Sequence, residues 1–544
     1  MPSASQVFGV RGLFRRARLL RSGPARAWGA AVRVAGSRLG VAGCILAGLL
    51  AFETAAAQQP IAPAPADPAI AAALQQVSAE RVRADIAKLV SFNNRSTLSS
   101  METDLVPGTG VSAAADWIEA EFKRYSDACG GCLEVKRDDF VEPAQTGATA
   151  RILKPTRLVN VYAVLHGADP AQAARRVLVT GHYDSRNTDV MNTHDPAPGA
   201  NDDASGVAVS LECARVLSAS GIKFPASVVF VAVAGEEQGL NGSRHLARLA
   251  KAEGWQLEAV LNNDIVGGDT TPGETMEDKT AVRVFSEGVP GAATLDELHQ
   301  IQTVGAESDS GSRELARAIL EVGNSYFKTT LERAPAAAPG RAHSMLVLQL
   351  PAFHPVLEFR RDRYGRGGDH TSFNLEGFAA VRFTEWRENF DHQHQNVRVA
   401  EGKLPDGSAG QVQYGDLIQY VDPAYVANVA RLNADTLATL ASAPGLPRNV
   451  HIPGGSGDND TKLAWETPVG FPAGATYEVV WRDTSAPTWT NSQNAGTATS
   501  ITLHISKDDV VFGVRSVDGA GNRSIAVYPM PVRAAATLPP PPAK

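Results

Sequence analysis

The segment Gly181-His182-Tyr183-Asp184-Ser185 is the first of five stations rich in acids and imidazoles. Asn201-Asp202-Asp203, Gly235-Glu236-Glu237, Asn262-Asn263-Asp264 and Gly368-Asp369-His370 follow in order. Two imidazoles and several carboxylates suit a pair of zinc ions, which take nitrogen and oxygen donors. Two such ions, about 3.5–4 Å apart, can share one carboxylate and one water, an arrangement that drives hydrolysis. The shared carboxylate must stand on a rigid turn. Asn201-Asp202-Asp203, opening a helix after Gly199-Ala200, offers two candidates for that place. Glu236 and Glu237 are adjacent, so one can ligate while the other works as a base. Asp184, two residues after His182, can accept the second ring proton of an imidazole ligand and fix its tautomer.

These stations need a scaffold, and the chain between them reads as alternating strands and helices. Leu158 to Leu165, Val177 to Thr180, Val228 to Ala234 and Ala259 to Leu261 are short apolar runs with little alternation. Such runs fit strands covered on both faces. Helices fall between them. Ala204 to Ser218 sets Val207, Leu211, Ala214 and Leu217 on one face, and Arg244 to Glu253 follows the third strand. Further helices are expected from Ala71 on, with Val82, Ile86, Leu89 and Val90 aligned, and over Gly108 to Tyr125. Later strands are expected at Val282 to Ser286 and Ala379 to Phe383, with a helix over Ser312 to Val322 between them. The pattern predicts an α/β class with a mostly parallel-core mixed sheet sandwiched by helices. His182, Glu236 and Asp264 then lie at the C-terminal ends of strands, where open α/β sheets bind ligands.

Read together, His182-Tyr183-Asp184, Asn201-Asp202-Asp203-Ala204-Ser205-Gly206, Glu236-Glu237, Asn263-Asp264 and Asp369-His370 resemble the co-catalytic zinc exopeptidases of the aminopeptidase Y and bacterial leucyl aminopeptidase type. The resemblance runs from roughly Ala71 to Val399. It implies the zinc exopeptidase fold and two zinc ions. By position, His182 and Asp264 would hold one ion, Glu237 and His370 the other, and Asp202 would bridge. Glu236 would be the general base on a water between the ions, and Asp184 would support a ligand. Peptides would be the substrates, cut at the free amino end.

The chain has 544 residues, 44% hydrophobic and 20% charged, with a net charge of -7. That length predicts more than one domain. Residues 1–57 carry eight arginines against one acid and leave about -14 on the rest, which argues against a nucleic-acid partner. Leu39 to Phe52 is apolar but short for a membrane span, and Ala55-Ala56-Ala57 offers a cleavage site. A signal peptide over 1–57 and a secreted or periplasmic product are expected, with no stable membrane span afterwards. A lipoprotein signal at Cys44 and a retained anchor are the alternatives. Residues 58–70 read as a Pro/Ala linker and 71–442 as the peptidase domain. Over 446–533, strand-like runs recur at Lys462 to Trp465, Tyr477 to Trp481, Ile501 to His504 and Val511 to Val517. That segment resembles a fibronectin type III β-sandwich, and 534–544 reads as a loose tail. Cys129-Gly130-Gly131-Cys132 can close a small disulfide loop in an exported protein. Cys213 reads as a buried apolar residue.

Taken singly, each station has a plainer reading. A His-x-Asp pair can sit capped at a surface, and Asp202 or Asp203 can simply cap a helix. Five stations in order outweigh those readings. The remaining histidines keep theirs: His194 is expected exposed, His343 and His354 have no partner, and His392 and His394 satisfy local hydrogen bonds. Arg360, Arg361, Arg363 and Arg366 read as a solvated basic loop, although guanidinium groups can bind carboxylates. They are the one support for a zinc carboxypeptidase of the same fold. A binding protein with a degenerate site is the third reading.

Overall fold

The computed structural model describes residues 59–61, 63–327, 330–333, 347–350, 352–453 and 458–531. The expected signal segment, the expected tail 534–544 and His343 lie outside these. All the described residues fall in one compact unit, within Gln58–Lys544.

An eight-stranded mixed sheet carries the fold. Its strands are β1 Leu133–Glu142, β2 Thr156–Leu165, β3 Arg175–His182, β4 Ser227–Val233, β5 Gln256–Asn263, β6 Ala281–Ser286, β7 His354–Glu358 and β8 Ala380–Glu385. They lie in the order β7-β6-β8-β5-β3-β4-β2-β1. The central four, β8, β5, β3 and β4, are mutually parallel, and antiparallel pairs flank them. This is the mixed sheet with a parallel core expected from the apolar runs. Successive residues of β3 feed opposite cores: Val177 and Val179 face one cluster, Leu178 the other. A period of two on a doubly covered strand makes every position apolar.

Nine α-helices are described. They are α1 Pro68–Leu74, α2 Ala79–Val90, α3 Gly110–Ala128, α4 Ala204–Ala219, α5 Asn241–Ala252, α6 Leu295–Val304, α7 Gly311–Tyr326, α8 His370–Leu375 and α9 Pro423–Ser442. Val207 and Leu211 of α4 and Val426 and Leu437 of α9 pack with Val177 and Val179. Leu246 and Ala247 of α5 and Phe373 of α8 pack with Leu178 on the other face. Burying such a side chain is worth about 1.5–3 kcal/mol, so both layers clamp the strand ends that carry the site. Glycine is required where α4 crosses β3. A Cβ at Gly206 would overlap the Asn263 carbonyl oxygen, and one at Gly181 would overlap the Gly206 backbone. Among the described residues no helix is long and apolar enough to cross a membrane.

After α9 the chain builds seven strands of two four-stranded sheets, and Gln59–Pro60, before α1, supplies the eighth. One orders Gln59–Pro60, Asn491–Gly496, Thr476–Asp483 and Val510–Val517; the other orders Ser500–Leu503, Thr461–Glu466, Arg448–Ile452 and Met530–Pro531. Trp465, Tyr477, Val479, Trp481, Phe512 and Val514 fill the space between them. The expected sandwich strands are all present, each a residue or two from its expected bounds. This segment is bolted to α7 by buried charge. Arg482 pairs with Asp309, Arg317 Nε donates to Pro487 O at 2.8 Å, and Trp489 Nε1 donates to Glu314 Oε2 at 3.1 Å. Burial pushes the Glu314 carboxyl up to about 7, although Arg317 pulls the other way.

Candidate metal centre and active site

His182 ends β3, Glu236 and Glu237 follow β4, and Asp264 follows β5. Asp202 stands one residue before Asp203, which caps the N-terminus of α4. These positions all lie at one rim, the C-terminal ends of the parallel core. The loop Pro198–Asn201 is held by the buried guanidinium of Arg95, which donates to Pro198 O at 2.6 Å and Gly199 O at 2.9 Å. Asp416 accepts from the Asn201 and Asp202 amides at 2.8 and 2.7 Å. A cis peptide bond joins Asp202 to Asp203.

The two aspartates have different tasks. Asp203 accepts from the His182 amide at 2.9 Å and the Gly206 amide at 3.0 Å, so its carboxylate braces backbone. Burial raises its pKa, with Asp264 and Asp202 adding repulsion against the pull of His182. Asp202 faces the pocket with both oxygens in use. Oδ1 lies 3.1 Å from His182 Nε2, and Oδ2 lies 2.8 Å from His394 Nε2. Of the two candidates, Asp202 is therefore the one that faces both imidazoles.

Two groups of donor atoms result: His182, Asp202 and Asp264, and Asp202, Glu237 and His394. Within each group the donor atoms lie within 4.8 Å of one another. His182 Nδ1 lies 3.1 Å from Asp184 O and 3.4 Å from Asp184 Oδ1, so that nitrogen carries the proton. Its Nε2 faces Asp202 Oδ1 and, at 4.0 Å, Asp264 Oδ1. A metal ion placed among these atoms would take Nε2 and both carboxylates as donors. The second group repeats the pattern, with His394 Nε2 facing Asp202 Oδ2 and, at 2.9 Å, Glu237 Oε1. Burial depresses imidazole basicity, yet Asp184 and Asp202 hold His182 well above its ordinary value. Against the same burial penalty, Glu237 and Asp202 push His394 up to about 10. The negative potential that raises both is the potential that would hold metal ions, and the N/O donor set suits zinc.

Neighbouring groups orient these donors. Asp184 accepts from Thr97 Oγ1 at 3.0 Å and from the Glu237 amide at 3.1 Å, so it ties β3 to the turn after β4. Arg382 Nη1 sits 2.7 Å from Asp264 Oδ2 and leaves Oδ1 for the pocket. Arg186 Nε donates to Glu237 Oε2 at 2.9 Å, and Gln393 Nε2 to Asp202 Oδ2 at 3.1 Å. Glu236 shares the pocket, of about 330 Å3, and no hydrogen bond to its carboxylate is present among the described residues. Burial raises its pKa well above the ordinary value, with Glu237 and Asp264 adding to the effect and His182 opposing it.

His370 corrects the sequence reading. Its Nε2 donates to Arg361 O at 2.8 Å, and its other near neighbour is Asp362 Oδ2 at 3.7 Å. Asp362 Oδ2 lies 3.6 Å from Arg382 Nη1, which pairs with Asp264, and His370 belongs to neither donor group. His394, expected to make only local hydrogen bonds, takes the place assigned to His370. The signal for it was position: it lies on the loop after β8, and β8 is a parallel neighbour of β5. Arg382 was also legible, as a charge inside the apolar run Ala380-Val381-Arg382-Phe383. Arg363 and Arg366, read as a solvated loop, line the pocket.

A parallel-cored sheet with two clusters of nitrogen and oxygen donors at its strand ends is the frame of a metal-binding site. Residues 160–312 match the model for peptidase family M28. The chain is 40% identical over 471 residues to a probable zinc metalloprotease of Leptosphaeria maculans, across 87% of this chain and 99% of the relative. It is 42% identical to a probable zinc metalloprotease of Pyricularia oryzae, across 86% and 85%. The solved LapA aminopeptidase of Legionella pneumophila aligns at 17% identity and TM-score 0.44, over 70% of this chain and 76% of that one. The chain belongs to peptidase family M28 and is a zinc metallopeptidase.

Proposed function

We propose that the protein is an exported aminopeptidase that uses two zinc ions. The observation that carries this reading is the span of Asp202, with one oxygen toward His182 and the other toward His394. His182, Asp202 and Asp264 would hold one ion, and Asp202, Glu237 and His394 the other. Bound there, the ions would supply Lewis-acid polarisation of the scissile carbonyl and of a water. Glu236 takes a proton from the attacking water and returns it to the leaving amine. Its raised basicity and the lack of hydrogen bonds to its carboxylate, among the described residues, suit that work. Asp184 keeps the His182 ring in one tautomer. The acids lining the pocket can receive a free α-ammonium group, and a pocket of about 330 Å3 fits a chain end better than a long segment.

Export rests on the basic and apolar segment before residue 58 and on the disulfide between Cys129 and Cys132. Such bonds persist in oxidising compartments. The strand-rich segment 446–533 serves as an accessory module fixed to α7.

Hydrolysis of aminoacyl-nitroanilides, with and without a chelator, tests the reading. Glu236→Gln should keep its zinc and lose about 100- to 10,000-fold in kcat. Undiminished turnover by the variant rules out the base assignment. Cleavage confined to N-blocked peptides rules out the aminopeptidase and favours the carboxypeptidase.

A further inference from the structure

The catalytic pocket is lined by four arginines, four acids and a single aliphatic side chain, Leu240. A leucine-selective site would need an apolar wall, and this lining has none. The four guanidinium groups stand beside the donor carboxylates in one lining.

The four arginines are not equivalent. Arg186 is spent: Nε reaches Glu237 Oε2 at 2.9 Å, Nη1 reaches Asn187 O at 3.3 Å, and Nη2 reaches His394 Nδ1 at 2.6 Å. Arg363 is spent as well, on Asp362 Oδ1 at 3.0 Å, Glu388 Oε2 at 2.7 Å and Gly367 O at 3.3 Å. Arg151 engages Nη1 alone, with Glu237 O at 2.6 Å. Arg366 also engages Nη1 alone, with Glu388 Oε2 at 3.1 Å and Gln393 Oε1 at 3.3 Å. Among the described residues, Nε and Nη2 of both Arg151 and Arg366 have no hydrogen-bond partner. Phe390 supports the second guanidinium, which stands 5.9 Å from its ring centroid. A guanidinium with one edge anchored and the other open is shaped to take a carboxylate through two parallel hydrogen bonds.

We propose that Arg151 and Arg366 select peptides bearing a carboxylate next to the bond that is cut. The inference rests on the hydrolytic reading above. The carboxylate can come from the side chain of the first residue, the side chain of the second, or the C-terminus of a dipeptide.

Matched pairs separate these sources in the zinc-loaded enzyme. Glu-Ala-amide is set against Gln-Ala-amide, Ala-Glu-amide against Ala-Gln-amide, and Ala-Ala against Ala-Ala-amide. At least one acidic member should exceed its neutral partner in kcat/KM by threefold or more, and the pair that does so names the source. Arg151→Gln and Arg366→Gln should each cut that ratio by at least threefold, while thermal unfolding shows both variants folded. Calorimetry with glutarate against glutaramide reads anion recognition without turnover, and glutarate binding should weaken in both variants. All three ratios below threefold overturn the proposal, as does an acid preference that survives in the double variant. If no peptide is cut but the variants still weaken glutarate binding, the hydrolytic reading fails and the anion site stands.

Discussion

His394→Ala and His370→Ala should have opposite consequences. His394 Nε2 faces two carboxylate oxygens at 2.8 and 2.9 Å, so its removal leaves one donor group with carboxylates alone. Loss of a residue that merely supports a ligand costs roughly 10- to 100-fold in metal affinity. A direct donor should cost at least the upper figure, roughly 2.7 kcal/mol at about 1.4 kcal/mol per decade. Zinc content after dialysis should fall from about two ions per chain to about one, and activity with it. His370 is neutral at working pH, because burial drives its pKa down to about 4. It makes one hydrogen bond, at 2.8 Å to Arg361 O. Alanine there loses that bond, about 1 kcal/mol, and leaves a cavity worth a further ~2 kcal/mol. Thermal unfolding should come several degrees earlier with zinc content unchanged. Plasma emission spectrometry on dialysed protein, beside a melting curve, reads both quantities. Zinc lost from His370→Ala but retained by His394→Ala would refute the assignment of the second donor group.

Two other perturbations test the scaffold. Asp85, a buried residue of α2, is raised from 3.8 to about 7 by burial, with Glu121 and Glu212 adding repulsion. The folded carboxyl holds its proton more tightly than the unfolded one, so its contribution is full below about pH 4 and is lost as pH rises through 7. Asp85→Asn should remove that slope and unfold at a higher temperature than wild type at pH 8. The ceiling is roughly 4 kcal/mol, from three pKa units at about 1.4 kcal/mol each. Equal melting curves for the two proteins from pH 4 to pH 8 would contradict it. Arg482→Ala strips Asp309 of its closer partner and leaves Arg317 Nη1 at 3.3 Å. Breaking a buried pair costs about 3–5 kcal/mol, here toward the lower end. Faster proteolysis near residues 443–458 and a lower denaturant midpoint are expected; no change in either means the buried charges do not hold the sandwich to α7.

The sheet was legible where strands are covered on both faces. β2, β3, β4 and β5 are apolar at nearly every position, which leaves little else for them to be. β1 escaped notice because Lys136, Arg137, Asp138 and Asp139 interrupt it, as one face of an edge strand allows. Helix α9 was missed for the opposite reason. It is buried on most sides and takes Asn433, Asp435 and Thr436 inside, so no polar stripe marks its period. Four of the five acid and imidazole stations supply residues to the donor groups: three stand at or just after strand ends, and Asp202 lies just before α4. Ligand assignment failed at the loops. His394 adopts a left-handed backbone, with φ 56°, in an irregular segment that no periodicity describes. His370 drew attention through its neighbour Asp369, and its true engagement with Arg361 O depends on a fold-back that spacing does not reveal.

Gln59–Pro60 lies antiparallel along Asn491–Ser492, on the outer margin of one sandwich sheet. The residues directly after the expected cleavage point thus shield a row of amides and carbonyls that would otherwise lie open to another chain. Recombinant forms that start beyond residue 60 will bare this margin. They should then tend to dimerise or precipitate with their peptidase sites intact, an artefact easily misread as a natural quaternary state.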